Sequence, residues 1–493
     1  MTMAVNTIKY FILTVCTSLI IYQLANSPPG RHSKTCLLSN GKFQCPKFRY
    51  SGTVDPKWEK ILHDIEHNFN QGYEIGNAIS IWYNGTMVVN ITTGYDDCLC
   101  TTPYKKDTIQ MIFSSTKAWT SIAIAMLVDR GLLEYDKPVS NYWPEFGING
   151  KGSVTVSDLM SHAGGVHGVS KPIGQGTILR DGPRPQNTAL SMILAETVMD
   201  ERTWRQRGNQ GYHGLSRGLY ANEIVKRADL QGRNIQEFIQ DEIVKPLNLD
   251  FHIGLSGVDD AFRARTGNMC LQPLWKLFFG FIPRILLPRY LWSSLFNDIF
   301  MDESEIQLIH SFRTTDSVAK AAFMKIWGEP NPPQLVRDYK KKNLWQDILS
   351  PSSHGFSNAY SLARLGSVML NGGIDPISGT KLMSNETVQL ASTYYPATID
   401  SILVKNISYT IGGFGDISSF ARHEMHAQQD EINNVSMENK CLGWAGAGGS
   451  IFQWCPEYQL AIGYTMNYYS VHGIDWRGIG YLKRAMSIVD NMQ

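Results

Sequence analysis

The chain has 493 residues, 43% hydrophobic and 18% charged, a globular composition that excludes a disordered chain. Its formal net charge is +1, so the charge balance favours neither nucleic acid nor any other polyanion as partner. The length suffices for one large domain or two ordinary ones with a substantial core.

Lys9 precedes an uncharged, mostly apolar run from Tyr10 to Tyr22, and polar or turn-forming residues follow from Gln23 to Arg31. A spanning helix needs about 20 apolar residues. The run therefore suits a secretory signal peptide or a short signal anchor over residues 1–26. A mitochondrial presequence would be richer in Arg. Residues 27–55 hold Pro28, Pro29, Gly30, Cys36 and Cys45 and read as a linker, leaving 56–493 as the folded body. Sequons at Asn84, Asn90, Asn385, Asn406 and Asn434 permit glycosylation. Of the 8 cysteines, Cys16 lies in the apolar run, and the odd remainder leaves one thiol over. Cys36 with Cys45 suits a small loop. Cys98 and Cys100 are too close to bridge each other and lack zinc spacing. The expected compartment is the secretory pathway, with the protein secreted or held at a membrane by its N-terminal segment.

Trp58 to Phe69 has helical apolar spacing. Ala78–Tyr83 and Thr86–Ile91 are β-rich runs joined by Asn84-Gly85, a strong hairpin signal. A helix, a hairpin and a long insertion make an α+β opening. Ser114 to Arg130 reads as a buried helix stopped by Gly131. Val154 to Met160 starts another short helix, residues 211–247 carry helical pattern twice, and strands with Gly turns then lead to a last helix near Gly478–Val489.

Leu271 to Phe300 stands apart as an apolar, aromatic insertion (near 271–340) broken by Pro283 and Pro288 and dotted with Lys276, Arg284 and Arg289. Its charges and prolines argue against a spanning helix. A buried insertion, a lid beside a site, and a basic-aromatic patch on a membrane surface all fit it.

Ser114-Ser115-Thr116-Lys117 is an S-x-x-K match. Residues three apart on a helix share a face, so hydroxyl and amine can touch. A Ser hydroxyl needs a nearby base, and Lys serves only when burial or a neighbouring cation lowers its pKa. Ser39 with Lys42, Ser317 with Lys320 and Ser378 with Lys381 repeat the spacing, so spacing alone does not decide.

Context does. Phe113 to Lys117 leads into an Ala-rich helix and Asp129-Arg130-Gly131-Leu132-Leu133. Tyr142-Trp143-Pro144-Glu145-Phe146 and Leu159-Met160-Ser161-His162-Ala163-Gly164-Gly165 follow in order. From about Trp58 to the C-terminus, apart from the insertion, this series resembles the serine β-lactamase and penicillin-binding-protein family, in its class C-like esterase branch. The resemblance implies that family's fold: an antiparallel sheet flanked by helices, plus a helical subdomain, with the site between them.

It also implies site residues. Gly211-Tyr212-His213-Gly214 falls where the family has Tyr-x-Asn. Tyr212 would be the phenolate-like base for Ser114, with Lys117 holding its pKa down. Gly214 stands in the Asn position, which counts against β-lactam cleavage. Gly443 to Ser450 matches the Gly-rich strand, with Trp444 in place of a cation. An ester or amide without a required carboxylate is the expected substrate. The N–H groups of Ser114 and Ala447 would hold the oxyanion, and the small residues Gly446 and Ala447 would let a carbonyl approach closely.

His162, His167 and His213 have no metal-ligand spacing, and a Ser-His-Asp hydrolase would want a G-x-S-x-G elbow. No metal or organic cofactor is implied. The rival readings are a peptidase or transpeptidase-like enzyme on the same fold, and a non-catalytic scaffold or assembly protein. The sequence is silent on oligomeric state.

Overall fold

The computed structural model describes residues 46–173, 188–271, 347–420, 435–438, 440–469 and 475–492. The N-terminal apolar run, Cys36 with Cys45, and the insertion from 272 lie outside these. Strand β1 (Tyr50–Val54) leads through Trp58 into helix α1 (Glu59–Gln71). The expected hairpin follows as β2 (Gly76–Tyr83) and β3 (Thr86–Gly94), turned by Asn84 and Gly85, both at positive φ. Strand β4 (Gln110–Phe113) precedes helix α2 (Thr116–Asp129). A helical region then holds α3 (Val156–Met160), α4 (Ala189–Glu196), α5 (Ser216–Ala228) and α6 (Ile235–Ile239).

Short strands β5 (Phe251–Ile253), β6 (Cys270–Leu271) and β7 (Gly355–Ser357) return the chain to helix α7 (Ala359–Leu370), followed by α8 (Asn385–Ser392). The hairpin β8 (Thr398–Asp400) and β9 (Lys405–Ile407) precedes β10 (Leu442–Ala445), β11 (Ile451–Cys455) and β12 (Leu460–Met466). Strand β13 (Tyr468–Tyr469) and helix α9 (Trp476–Asp490) close the chain.

The main sheet runs β1-β3-β2-β12-β11-β10, antiparallel throughout. Its central strands are buried on both faces, because helices cover each side. On one face Tyr83 meets Trp58 at 5.7 Å and Tyr464 meets Tyr481 of α9 at 5.3 Å. On the other, Trp82 meets Tyr360 of α7 at 6.4 Å. Alternation along β2 and β12 puts successive side chains on these opposite faces. At Gly463 a Cβ would stand 2.2 Å from the Ala359 carbonyl, so only glycine lets α7 lie this close.

The folded body starts earlier than the expected boundary at 56, since β1 pairs with β3 along its whole length. An exposed edge strand reading Tyr-Ser-Gly-Thr-Val has little apolar alternation to announce it. Disulfides join Cys98 to Cys270 and Cys441 to Cys455, the latter across the start of β10 and the end of β11. Among the described residues, no helix is long and apolar enough to cross a membrane.

Candidate active site

The site is built where β4 turns into α2. The β4–β7 pairing is irregular between Met111 and Phe113, and Phe113 has φ +43°, a left-handed conformation costly for an aromatic residue. The strained turn leaves Ser114 outside the helix, which begins at Thr116 rather than at Ser114 as the sequence pattern suggests. The Lys117 N–H donates to the Ser114 carbonyl at 2.9 Å, so Ser114 still sits one turn below Lys117.

Tyr212, from the loop before α5, places its hydroxyl 2.6 Å from Ser114 Oγ. Lys117 Nζ lies 3.3 Å from the same oxygen and 4.7 Å from the centre of the Tyr212 ring. The structure thus brings Ser114, Lys117 and Tyr212 together. By contrast, Ser378 of the repeated spacing donates at 2.6 Å to Asp375 in a turn. The Ser39 and Ser317 pairs lie outside the described residues.

The surroundings decide the protonation states. Lys117 is fully buried, and Nζ donates to the carbonyls of Gly214 and Ser352, each at 2.8 Å. Burial, then the nearby Arg217 charge, holds its amine well below the ordinary lysine range. Two N–H bonds to carbonyls leave the nitrogen lone pair of the neutral amine for the Ser114 proton. Burial also pushes the Tyr212 phenol up to about 12, only partly offset by its bond to Ser114. This is the opposite direction to the one expected from sequence. An uncharged Lys117 exerts no cationic pull on the phenol, so burial wins.

Asp400 fixes the loop that carries Tyr212. Its Oδ1 accepts from the N–H groups of Tyr212 (3.0 Å), Ile402 and Leu403 (both 2.9 Å), and its Oδ2 accepts from Tyr409 at 2.9 Å. Trp444 is stacked between Tyr212 and Tyr409, at 5.8 and 5.7 Å. The tryptophan at the expected cation position therefore buttresses the phenol and brings no charge.

The Gly-rich turn after β10 lies directly against the nucleophile turn. A Cβ on Gly446 would stand 2.2 Å from both the Ile112 carbonyl and Ser450 Oγ, so this approach requires glycine. Ala447 is exposed at the tip of the turn. Ser450 Oγ donates to the Ile112 carbonyl at 2.8 Å and lies 3.1 Å from Ser115 Oγ. Arg477 anchors the far side by donating to the Gly448 carbonyl at 3.1 Å.

The histidines are structural. The His213 N–H donates to His162 Nδ1 at 2.9 Å, and His213 Nε2 accepts from the Val166 N–H at 3.1 Å. Burial drives the His213 ring down to about 3 and the His162 ring well below its ordinary value. His167 bonds Thr203 at 2.8 Å. Among the described residues no His, Cys, Asp and Glu cluster could hold a metal ion.

Sequence reasoning missed Ser115, Ser352, Ser450, Asp400 and Arg217. Ser115 and Ser450 stand inside quoted motifs and were open to notice. Ser352, Asp400 and Arg217 act through a carbonyl, backbone amides and a buried charge, which no local pattern marks.

The family model described as Beta-lactamase matches residues 63–475. The esterase/beta-lactamase LipL of Mycobacterium tuberculosis is 26% identical over 421 residues, 85% of this chain and 83% of that protein. Among solved structures, a penicillin-binding-protein homolog from Caulobacter crescentus superposes with a TM-score of 0.67 at 25% identity, covering 89% of this chain and all of that one. A family VIII carboxylesterase gives a TM-score of 0.67 at 21% identity, with coverage of 89% and 100%, a likeness of fold.

Proposed function

The chain belongs to the beta-lactamase family and is a serine hydrolase, and we propose that it cleaves an ester or amide through a Ser114 acyl-enzyme, with esters favoured over β-lactams. The observation that carries this reading is the convergence of Tyr212 OH and Lys117 Nζ on Ser114 Oγ, at 2.6 and 3.3 Å.

In the first step the neutral Lys117 amine takes the Ser114 proton while Oγ bonds to the substrate carbonyl carbon. The carbonyl electron pair moves onto oxygen, where the N–H groups of Ser114 and Ala447 stabilise it. Collapse breaks the bond to the leaving oxygen or nitrogen, which receives the proton from Lys117 through the Tyr212 hydroxyl. Water then attacks the acyl carbon, gives its proton to the same amine, and Ser114 Oγ leaves and is reprotonated. Tyr212 is a relay here rather than a standing phenolate, in keeping with its raised pKa.

Gly214 and Trp444 support an ester preference. Neither offers a side-chain amide or a cation to a β-lactam's polar groups. The relative LipL is named an esterase/beta-lactamase, which fits ester turnover on this fold but does not separate it from β-lactam cleavage. A panel of p-nitrophenyl esters, D-amino-acid peptides and a chromogenic cephalosporin tests this. Turnover of short-chain esters well above the other two supports it; peptide or cephalosporin turnover that exceeds ester turnover overturns it. The peptidase reading is less favoured, and the complete Ser114–Lys117–Tyr212 trio disfavours a purely non-catalytic scaffold.

Secretory-pathway exposure is part of the proposal. The Cys98–Cys270 and Cys441–Cys455 disulfides suit an oxidising compartment, and Asn84, Asn385 and Asn406 are exposed, as glycosylation requires. A mobility shift on glycosidase treatment of the cell-expressed chain checks this; an unshifted, cytosolic product contradicts it. Contact of 271–300 with a membrane surface remains a proposal from its basic-aromatic composition.

A further inference from the structure

Arg217 of α5 is wholly buried behind α2. Its Nη2 donates to the Lys117 carbonyl at 3.2 Å and to Ser121 Oγ. Its Nη1 donates to the Gly413 carbonyl at 3.0 Å. All these acceptors are neutral. Other buried arginines here meet carboxylates, as Arg477 does with Glu74 and Arg364 with Asp375. Among the described residues, none pairs with Arg217.

A buried charge without a counter-ion is expensive to keep. This one is surrounded by titratable groups from every neighbouring element. Lys117 faces it from α2, and Tyr212 and His213 from the loop before α5. His162 and Tyr135 face it from the helical region, and Tyr409 from beyond β9. Asp400 is the nearby carboxylate, and it opposes Arg217 at Tyr212. Its bonds to three N–H groups and the Tyr409 hydroxyl already satisfy it.

We propose that Arg217 is a positioning residue for the reaction, whose un-neutralised guanidinium makes the Ser114–Lys117–Tyr212 trio release its proton at lower pH. The inference rests on the acyl-enzyme reading above. It does not depend on which group holds the shared proton. A fixed positive charge disfavours the Lys117 ammonium and favours a Tyr212 phenolate, so both effects drive the coupled trio the same way. The hydrogen bond to the Lys117 carbonyl ties the guanidinium to the same residue that carries the amine.

The test is the rate at which a fluorophosphonate modifies Ser114, followed against pH in the full chain. Removing the charge with Arg217→Met or Arg217→Gln should move the acid limb up by about one pH unit, the size expected for a neighbouring charge at interior dielectric. Arg217→Lys should restore the limb toward its original place. Arg217→Gln keeps an amide donor and carries the test if Arg217→Met does not fold. Ser121→Ala, which removes one acceptor but no charge, should leave the limb where it is.

An acid limb that stays put in folded Arg217→Met or Arg217→Gln, with rates lowered evenly across pH, overturns the inference. So does a limb that moves as far in Ser121→Ala. A wild-type protein that takes no probe at any pH overturns the hydrolase reading itself. Modification of the wild type with an immobile limb in the neutral variants overturns this inference alone.

Discussion

The Tyr212 hydroxyl and Ser114 Oγ stand 2.6 Å apart across 98 residues of sequence. Asp400 and Trp444 hold that contact from behind, one through the Tyr212 backbone and one through its ring. Tyr212→Phe removes the hydroxyl and keeps the stack. Ester turnover should fall by about 10²- to 10⁴-fold, the usual size of a lost proton-transfer group, with an unchanged melting temperature. Turnover within a few-fold of wild type would remove Tyr212 from the mechanism.

Lys117 is buried and bonded to two carbonyls, so its role depends on being able to lose a proton. Lys117→Arg keeps a positive charge that does not deprotonate in a protein. It should therefore be as inactive as Lys117→Met in the ester assay. Substantial activity in the Arg variant would mean that charge, not basicity, is what the site uses.

The pH profile follows from the same groups. Reaction requires Lys117 uncharged, and its pKa is lowered, so activity is present above that lowered value and lost as pH falls through it. Tyr212 stays protonated up to about 12 and imposes no alkaline limb below that. A profile of kcat/KM for an ester should thus show an acid limb well below the ordinary lysine range and a plateau above it. A limb near the ordinary lysine value would contradict the neutral-amine assignment.

Gly446 sits where a Cβ would strike the Ile112 carbonyl and Ser450 Oγ. Gly446→Ala should push the strand turn away from Ser114. It should also cost about 1–3 kcal/mol of stability, as overpacking does. Turnover should fall further than the stability loss explains, which activity and thermal melts on one preparation would separate. Unchanged turnover would show that the turn has room to spare.

The elements with a strong local signal were legible. Asn84-Gly85 between alternating runs gave the hairpin, and the Ala-rich run after Lys117 gave α2. The ordered motifs gave Ser114, Lys117 and Tyr212, because each keeps its place in a series that spacing alone would not distinguish. Strand β1 escaped because it is an exposed edge with one small turn-like Gly inside it. The pKa of Tyr212 escaped for a different reason. Its direction is set by burial against Trp444 and His162, groups assembled from far along the chain. Arg217 reads in sequence as one more helical cation, and only its burial beside α2 gives it meaning.

The most direct test of the account is the site of covalent modification. The full chain is treated with a fluorophosphonate, digested and read by mass spectrometry, beside Ser114→Ala. The account predicts a single phosphonylated peptide with the adduct on Ser114, and no adduct in the variant. An adduct on another serine, or equal labelling of the variant, would contradict it.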